Sequence, residues 1–362
     1  MVIGILGGGQ LGWMTILEGR KLGVRFAVLD MNPGSPACRL ADFCFTPDSV
    51  EEFVRTSDVI TWEFEHIEGG VLESCSPKLI SPNWILDLKK SRAQEKTFLS
   101  KRGFPTPEFT ISSGEGIDIA IQRIGLPAVV KRDAWGYDGK GQFLIRDFGD
   151  MESFRSRVSS KESFVVEKFI DFRAEVSLIT VRDRNGRTYH YPMTENTHRE
   201  GILIKNRVVY NENLFREARE INEALCRELS LTGLLAVEYF VTKEGRLLVN
   251  EFAPRPHNTG HYTLDGAVTS QFENLVRVLM GLPTGSTDLV KPSAMVNIIG
   301  KDLDSISVGE ILEIRGTKLY WYGKEPRSRR KMGHVNIVSD SFEELDRLVN
   351  RVESLIYAGA RV

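Results

Sequence analysis

The sequence predicts three domains: a doubly wound α/β domain, a larger α+β domain and a small C-terminal α+β domain. Its 362 residues are enough for two or three domains. Short apolar runs alternate with helical stretches over the first hundred residues, which is the βαβ pattern of a parallel sheet. Strand patterns dominate the rest of the chain. Stiff proline-containing stretches at 104–107 and 283–292 lead us to expect domains at residues 1–103, 104–290 and 291–362.

Each predicted element follows from a local pattern. In the first domain, strands are short apolar runs, and helices are longer stretches that end near glycine. These patterns predict strands at 2–6, 25–30, 43–46, 59–62 and 79–81, and helices near 10–22 and 91–102. In the second domain, β-branched runs predict strands at 128–132, 163–168, 175–182, 188–193, 202–210, 233–242 and 246–252, with helices at 212–229 and 267–280. The third domain is predicted to hold strands at 294–299, 318–322 and 334–338 and a helix at 342–357.

Composition limits the classes of function. Hydrophobic residues make up 41% and charged residues 27% of the chain, and the net charge is −2. This charge argues against broad binding to nucleic acid or to a membrane surface, and no apolar run approaches the roughly 20 residues that span a bilayer. The chain has no basic leader, so we expect a cytoplasmic protein. The four cysteines lack metal-ligand spacing and are expected to be reduced: Cys38, Cys44, Cys75 and Cys226.

A pair of glutamates in a predicted hairpin is the strongest single signal. If Glu244 and Gly245 form a two-residue loop, Glu238 lies opposite Glu251. Carboxylates with Cβ atoms roughly 5 Å apart repel each other unless a cation lies between them. Such a pair is typical of a magnesium site beside nucleotide phosphates. The alternative is two exposed strand glutamates, which the rigid polar run at 253–261 disfavours.

A glycine turn follows the first predicted strand. Residues 7–12 fit the GxGxxG dinucleotide fingerprint, and Asp30 ends the second strand. An NAD-dependent oxidoreductase is therefore one alternative. Since nothing downstream resembles a nicotinamide site, we favour a turn whose amides, together with Gln10, hold part of a different substrate.

A second glycine-rich loop, residues 136–141, comes shortly after Lys131. Glycines let a backbone close over phosphates, and Lys131 and Lys140 supply positive charge. The loop is not a Walker A motif, because no Gly-Lys-Ser/Thr step opens a helix. A flexible solvated loop is the alternative. Glu167 and Glu175 follow on predicted strands, and neither residue by itself indicates a function.

The order of these features resembles the ATP-grasp superfamily. The local motifs are similar, more specifically, to the 5-(carboxyamino)imidazole ribonucleotide synthetase family of purine biosynthesis; they lie at residues 5–12, 136–142, 250–262, 269–273 and 330–334. The resemblance covers nearly the whole chain, and the run 250–262 is its most specific part. The chain departs from the family at Trp13, where arginine is usual, and at 132–135, where a more basic stretch is usual.

The resemblance implies an ATP-grasp fold with an N-terminal Rossmann-like domain, and a ligase that uses ATP to join bicarbonate to 5-aminoimidazole ribonucleotide through carboxyphosphate. It implies ATP and magnesium as co-substrate and cofactor, and a homodimer. By similarity, magnesium would be bound by Glu238 and Glu251, and ATP by Lys96, Lys131, Glu167, Lys168, Ile170, Glu175 and Asn250. The ribonucleotide would be bound by Gln10, Glu63, Asp138, Lys324 and Arg330, and the catalytic residues would be Arg255, His257, Asn258, Tyr137 and Lys140.

Alternatives remain for some of these roles. His257 could be a structural hydrogen-bonding residue, and the basic run 324–331 could be a solvated face. Another ATP-grasp ligase, one that forms an acyl phosphate from formate or an amino acid, is the nearest rival function. A non-catalytic nucleotide sensor is a further one, which the intact glutamate pair disfavours.

Overall fold

The protein, described by a computed structural model over residues 1–133 and 141–357, contains three β-sheets. The first is a parallel sheet of four strands in the order β3-β2-β1-β4. Its strands are β1 (Val2–Leu6), β2 (Arg25–Leu29), β3 (Phe43–Phe45) and β4 (Val59–Trp62). The helices in the same part of the chain are α1 (Gln10–Arg20), α2 (Val50–Thr56), α3 (Gly69–Cys75), α4 (Trp84–Lys89) and α5 (Arg92–Lys101), of which α5 packs against α4 and β8. This is the Rossmann-like doubly wound arrangement expected for the N-terminal domain.

A small antiparallel sheet follows, in the order β5-β8-β6-β7. It comprises β5 (Phe109–Ser113), β6 (Ala128–Arg132), β7 (Gln142–Ile145) and β8 (Ser163–Lys168), with α6 (Ile117–Ile124) and α7 (Phe148–Arg155). Apolar residues of α6 and of the strands form one core cluster. Because β6 pairs with β8, Lys131 and Glu167 lie on adjacent strands.

The largest sheet has the order β14-β13-β9-β11-β12-β15-β17-β16, with β10 paired to β9. Its first part contains β9 (Phe172–Arg182), β10 (Thr188–His190), β11 (Thr194–Arg199), β12 (Ile202–Val208), β13 (Gly233–Thr242) and β14 (Leu247–Ala253), with helices α8 (Glu212–Glu228), α9 (Thr263–Gly266) and α10 (Gln271–Met280). Its second part contains β15 (Ser293–Ile299), β16 (Thr317–Trp321) and β17 (Lys331–Val338), with α11 (Val308–Glu313) and α12 (Phe342–Tyr357). Pairing of β12 with β15 makes the two parts one continuous sheet.

Several predicted elements differ from the structure for local reasons. The run 79–81 forms only an isolated bridge between Ile60 and Leu79 instead of a strand. The strand predicted at 188–193 ends at His190, because Pro192 has no N–H to donate to a ladder. The strand β11 was not predicted, since its sequence is almost wholly polar. Helix α10 begins at Gln271 and not near 267, because the Ser270 side chain caps it.

The cysteine prediction was wrong for one pair. Cys38 and Cys44 form a disulfide, and their Cα atoms lie 5.3 Å apart, within the range that a disulfide spans. Cys75 and Cys226 are free and buried. No helix in the described ranges has the length and apolarity to cross a membrane.

Candidate active site

Glu238 and Glu251 face each other across the hairpin formed by β13 and β14. The predicted opposition is therefore confirmed, although the predicted two-residue loop is wrong. Thr242 N donates to Arg246 O at 2.9 Å, so the loop has three residues and ends at Gly245 with a φ of +81°. This register alone would place Asn250 opposite Glu238. A β-bulge at Asn250 restores the glutamate pair, because Tyr239 pairs with Val249 while Glu238 pairs with Glu251.

The two glutamates differ in their proton affinity. Burial raises the pKa of Glu238 to about 7; His198 opposes this rise and Glu251 adds to it. The Glu251 side chain is exposed to the cavities. Desolvation by nearby atoms would raise its pKa, but Lys89, Arg92, Lys131 and Lys96 outweigh this effect and hold the pKa below its usual value. Glu251 is thus stabilised in its charged form and Glu238 is not. A cation bound between them would stabilise both charges.

Two lysines and one glutamate form a buried cluster beside the hairpin. Lys131 Nζ lies 3.0 Å from Glu167 Oε2 and 3.2 Å from Asn250 Oδ1. Lys96 Nζ lies 3.5 Å from Glu167 Oε1 and donates to Thr106 Oγ1 at 3.0 Å. Burial would raise the pKa of Glu167, but the two lysines lower it, so its carboxylate is ionised and holds both side chains in place.

Glu175 is paired with a histidine that the sequence did not single out. His198 Nδ1 lies 2.5 Å from Glu175 Oε2, because β11 pairs with β9. Burial lowers the pKa of His198, but Glu175 and Glu238 together raise it above the usual value. The sequence did not indicate His198 because strand β11 was not predicted. Once that strand is known, Asn196 pairs with Glu175, and His198 lies two residues further along the same strand.

Two adjoining cavities open on either side of the glutamate pair. The first has a volume of about 320 Å³ and the second about 710 Å³. The first is lined by the end of β8 (Lys168, Phe169 and Ile170), by Lys131, Glu167, Glu175 and Asn250, and by apolar residues of neighbouring strands. Six residues line both cavities: Arg92, Glu238, Glu251, His257, Asn258 and Lys331. A molecule in the first cavity therefore meets a molecule in the second at these six side chains.

The loop after β14 is held by hydrogen bonds between the backbone of His257 and the Gln271 side chain. His257 N donates to Gln271 Oε1 at 3.0 Å, and Gln271 Nε2 donates to His257 O at 2.7 Å. The His257 ring contacts Thr259 Oγ1 through Nδ1 at 2.9 Å. Arg255 Nε lies 2.8 Å from Glu65 Oε1.

Asn258 is 6% exposed, and neither polar atom of its side chain has a hydrogen-bond partner among the described residues. A buried amide without partners is costly, so this site is suited to a small polar ligand.

Three amides of the glycine turn donate to carboxylates of the same domain. Glu63 Oε2 accepts from Gly12 N at 2.7 Å, Glu63 Oε1 accepts from Gly9 N, and Asp30 Oδ2 accepts from Gly8 N at 2.7 Å. A Cβ at Gly9 would lie 2.5 Å from Glu63 Oε1, so the turn fits this carboxylate closely. The expectation that the turn amides hold substrate is wrong, because two carboxylates of the same domain already occupy them. The same contacts remove the phosphate site that an NAD enzyme needs.

Among the described residues, the second cavity is lined by eight lysine and arginine side chains and by five glutamates, so its walls carry a basic excess. Lys324 Nζ donates to Gln10 Oε1, and Arg330 Nη1 donates to Glu325 O at 2.9 Å. Glu63 faces the same space, and burial raises its pKa, although hydrogen bonds from Gly12 and Gly9 oppose the rise. The other basic residues that line this cavity are Lys89, Arg92, Arg255, Arg327, Arg329 and Lys331.

Most of the predicted site residues lie together around these cavities. Lys96 is the exception; it is 3% exposed behind Glu167 and lines neither cavity. Tyr137, Asp138 and Lys140 lie outside the described residues. Sequence patterns did not single out three further residues that line the cavities: Arg92, His198 and Lys331. Arg92 begins α5 and lies between the predicted motifs, whereas Lys331 belongs to the basic run and could have been found there.

The carboxylate pair fits a magnesium ion that takes its other ligands from phosphates and water. The described part of the chain contains no group of three or more His, Cys, Asp or Glu residues suited to a metal by themselves. Glu238 and Glu251 supply two oxygen donors at the junction of the two cavities, which is the donor type that magnesium prefers.

Comparison with known proteins shows similarity along the whole chain. Three family models match: the ribonucleotide synthetase preATP-grasp domain at residues 1–82, the ATP-grasp domain at 97–272 and the phosphoribosylaminoimidazole carboxylase C-terminal domain at 293–348. The N5-carboxyaminoimidazole ribonucleotide synthase of Aquifex aeolicus is 53% identical over 356 residues, which cover 98% of this chain and 97% of that protein. The enzyme of the same name from Saccharolobus solfataricus is 44% identical over 361 residues, with 98% and 96% covered. The crystal structure of N5-carboxyaminoimidazole synthetase from Staphylococcus aureus complexed with ADP has a TM-score of 0.91 and 32% identity, with 97% of this chain and 96% of that chain covered.

Proposed function

This chain belongs to the N5-carboxyaminoimidazole ribonucleotide synthase family, and from that premise we propose how its two cavities join bicarbonate to the amine of 5-aminoimidazole ribonucleotide. It is an ATP-dependent ligase that forms a carbon–nitrogen bond in purine biosynthesis. The observation that carries the proposal is the set of six residues shared by the two cavities. Among the described residues, these six are the ones at which a phosphoryl donor in one cavity and a carboxyl acceptor in the other would meet.

ATP occupies the first cavity. The base lies at the end of β8, where Lys168, Phe169 and Ile170 line the wall beside Phe172 and Phe240, whose rings are stacked 4.9 Å apart. Glu175, partnered by His198, is placed for the ribose hydroxyls. The phosphates extend toward Lys131 and Arg92, whose charges favour the triphosphate.

The hairpin glutamates lie where the phosphates meet the second substrate. Glu238 and Glu251 would hold a magnesium ion, which when bound neutralises charge on the phosphate oxygens. Asn250 keeps Lys131 beside them through its side-chain oxygen. Positioning and charge stabilisation are the main tasks of a protein in phosphoryl transfer.

Bicarbonate lies against Arg255, His257 and Asn258. One of its oxygens bonds to the γ-phosphorus of ATP as the bond to the β-phosphate oxygen breaks, which gives ADP and carboxyphosphate. The ribonucleotide amine then bonds to the carboxyl carbon as the carbon–oxygen bond to phosphate breaks, and the proton lost by the amine leaves with phosphate. Asn258 supplies an amide with unsatisfied hydrogen-bonding capacity, and Arg255 is oriented by Glu65.

The ribonucleotide occupies the second cavity. Lys324 and Arg330 are placed for its 5′-phosphate, while Gln10 and Glu63 face its other polar groups. Charge-assisted hydrogen bonds from lysine and arginine are the usual means of phosphate recognition. A homodimer is proposed from family resemblance alone, and light scattering in solution tests it. A cytoplasmic location stays an expectation from the sequence.

Coupled ADP release tests the proposed reaction. With ATP, magnesium and 5-aminoimidazole ribonucleotide, ADP release should depend on added bicarbonate in carbon-dioxide-depleted buffer. Formate and amino acids, the substrates of rival ligases, should not replace bicarbonate. If one of them supports ADP release and bicarbonate does not, the proposed substrate is wrong.

A further inference from the structure

A turn of the C-terminal part, residues 322–324, is held by two side chains of the first domain. Arg39 Nη2 donates to Tyr322 O at 3.1 Å and to Gly323 O at 2.9 Å. The Trp13 ring meets the Tyr322 ring edge-on, with centroids 6.1 Å apart and an interplanar angle of 70°. Neither Trp13 nor Arg39 lines either cavity. Both side chains instead contact the turn that leads to Lys324, which does line the second cavity.

The shape of the turn suits the arginine. Gly323 has a φ of +61°, and a Cβ there would lie 2.8 Å from Arg39 Nη2. Glycine thus allows both the backbone conformation and the close approach of the guanidinium group. The hydrogen bonds from Arg39 to Tyr322 O and Gly323 O therefore require this backbone conformation of the turn.

Tyr322 transmits the position of the turn to Lys324. The tyrosine is 1% exposed, and its hydroxyl contacts His334 Nδ1 at 2.7 Å, so its ring is fixed at both ends. Lys324 Nζ lies 5.3 Å from the centroid of that ring and also donates to Gln10 Oε1. A cation over an aromatic face is stabilised by the ring quadrupole. A long lysine side chain is otherwise free to adopt many rotamers.

Trp13 belongs to an apolar cluster that joins the domains. It packs against Leu11 and Met14 from the first domain, Phe272 from α10 and Tyr322 from the C-terminal part. Removal of the indole would remove the aromatic edge contact that the first domain makes with the tyrosine ring.

We propose that Trp13 and Arg39 are positioning residues for the phosphate end of the ribonucleotide. They fix the 322–324 turn, and through the Tyr322 ring they hold Lys324 where it meets the phosphate. This inference rests on the proposed function, in which Lys324 binds that phosphate. Pre-organisation of one flexible cation raises affinity because less side-chain entropy is lost when the ligand binds.

Steady-state kinetics of matched variants test the proposal. Arg39→Ala and Trp13→Leu should each raise the KM for the ribonucleotide by about five- to tenfold, a loss on the scale of a cation–π contact or one hydrogen bond. Their kcat and their KM for ATP should stay within about twofold of the parent. Trp13→Phe, which keeps an aromatic edge, should restore most of the affinity. Arg20→Ala is the control, because Arg20 contacts Asp42 and Leu40 O within the first domain.

A double-mutant cycle separates positioning from general stability. Without Lys324 there is no cation to position, so Arg39→Ala should add little to the KM of Lys324→Ala. Full additivity of the two changes, or an equal rise in the KM for ATP, would overturn the proposal. If Trp13→Leu does not fold, the Arg39 cycle decides alone. Absence of ribonucleotide-dependent ADP release by the parent would instead refute the proposed function, so the two failures are distinguishable.

Discussion

Glu238 lies opposite Glu251 because Asn250 forms a bulge in the strand between a three-residue loop and the second glutamate. The bulge also directs the Asn250 side chain to Lys131, at 3.2 Å. One extra residue in β14 thus sets both the carboxylate pair and the hydrogen bond to Lys131, the lysine that we propose contacts phosphate. Bulges commonly re-aim side chains next to active sites in this way.

Neutralising the carboxylate pair should abolish turnover and leave the fold intact. Glu251→Gln, and to a smaller extent Glu238→Gln, should lower kcat by about 100-fold or more, since a bound metal stabilises the transferring phosphoryl group by several kcal/mol. Without magnesium, Glu238→Gln should not melt below the parent, because the change removes repulsion between opposed carboxylates. Glu251→Gln should melt slightly lower, because the ionised Glu251 is stabilised by the basic side chains around it. Glu244→Gln, in the exposed loop of the same hairpin, is the control for a charge change and should be fully active. Near-normal activity of Glu251→Gln at saturating magnesium would refute the metal assignment.

The magnesium requirement should depend on pH through Glu238. Its pKa is raised to about 7 by burial, so below pH 7 a proton competes with the metal. The magnesium concentration that gives half-maximal activity should therefore rise as the pH falls from 8 to 6. In Glu238→Gln the residual activity should lose most of this dependence. An unchanged pH profile in the variant would mean that another group titrates.

Removal of two basic residues should weaken ribonucleotide use selectively. Lys324→Ala combined with Arg330→Ala should raise the KM for the ribonucleotide at least about tenfold, because each charge-assisted hydrogen bond is worth roughly 1.5–3 kcal/mol. The KM for ATP should change little. Arg315→Ala, an exposed arginine of the same domain, is the matched control. Equal losses for both substrates would show that the basic run 324–331 is a solvated face.

A buried histidine pair should make the protein sensitive to acid. Burial lowers the pKa of His334 to about 3, and it lowers that of His261 well below the usual value. The unfolded chain gains these protons near pH 6.5 and the folded protein does not, so the free energy of unfolding falls as the pH falls below 6.5. At about 1.36 kcal/mol per pKa unit, His334 alone should cost about 2 kcal/mol between pH 6.5 and 5.

Urea titrations across that pH range check the acid effect. His334→Gln keeps a group that can accept the hydrogen bond from Tyr322 but removes one proton site, so its stability should depend less steeply on pH than that of the parent. Identical slopes in the two proteins would show that His334 is not responsible.

The sequence predicted more of the hairpin than of the glycine turn. The opposition of Glu238 and Glu251 was right even though the loop was one residue longer than expected, because the bulge at Asn250 compensates. The role of the turn amides was wrong, because it depends on Glu63, which reaches Gly9 and Gly12 from more than 50 positions along the chain. Such a contact leaves no local pattern in the sequence.

Long elements with apolar patterns were found, whereas shorter ones were missed even where, as in α6, apolar residues recur at helical spacing. The C-terminal helix was predicted with its observed bounds, Phe342–Tyr357, because its apolar face is strongly periodic. Strand β11, Thr194–Arg199, lacks apolar alternation, and with it His198 escaped notice. The disulfide between Cys38 and Cys44 depends on tertiary proximity that spacing alone did not indicate.

Transfer of labelled oxygen from bicarbonate to phosphate is the most direct test of whether ATP phosphorylates bicarbonate. If ATP in the first cavity phosphorylates bicarbonate at the shared residues, an oxygen of bicarbonate bonds to phosphorus and leaves with phosphate. With ¹⁸O-labelled bicarbonate, mass spectrometry of the released phosphate should therefore find one ¹⁸O atom per molecule, and the remaining label should be in the carboxyl group of the product. Release of unlabelled phosphate during carboxylation would show that bicarbonate is not phosphorylated.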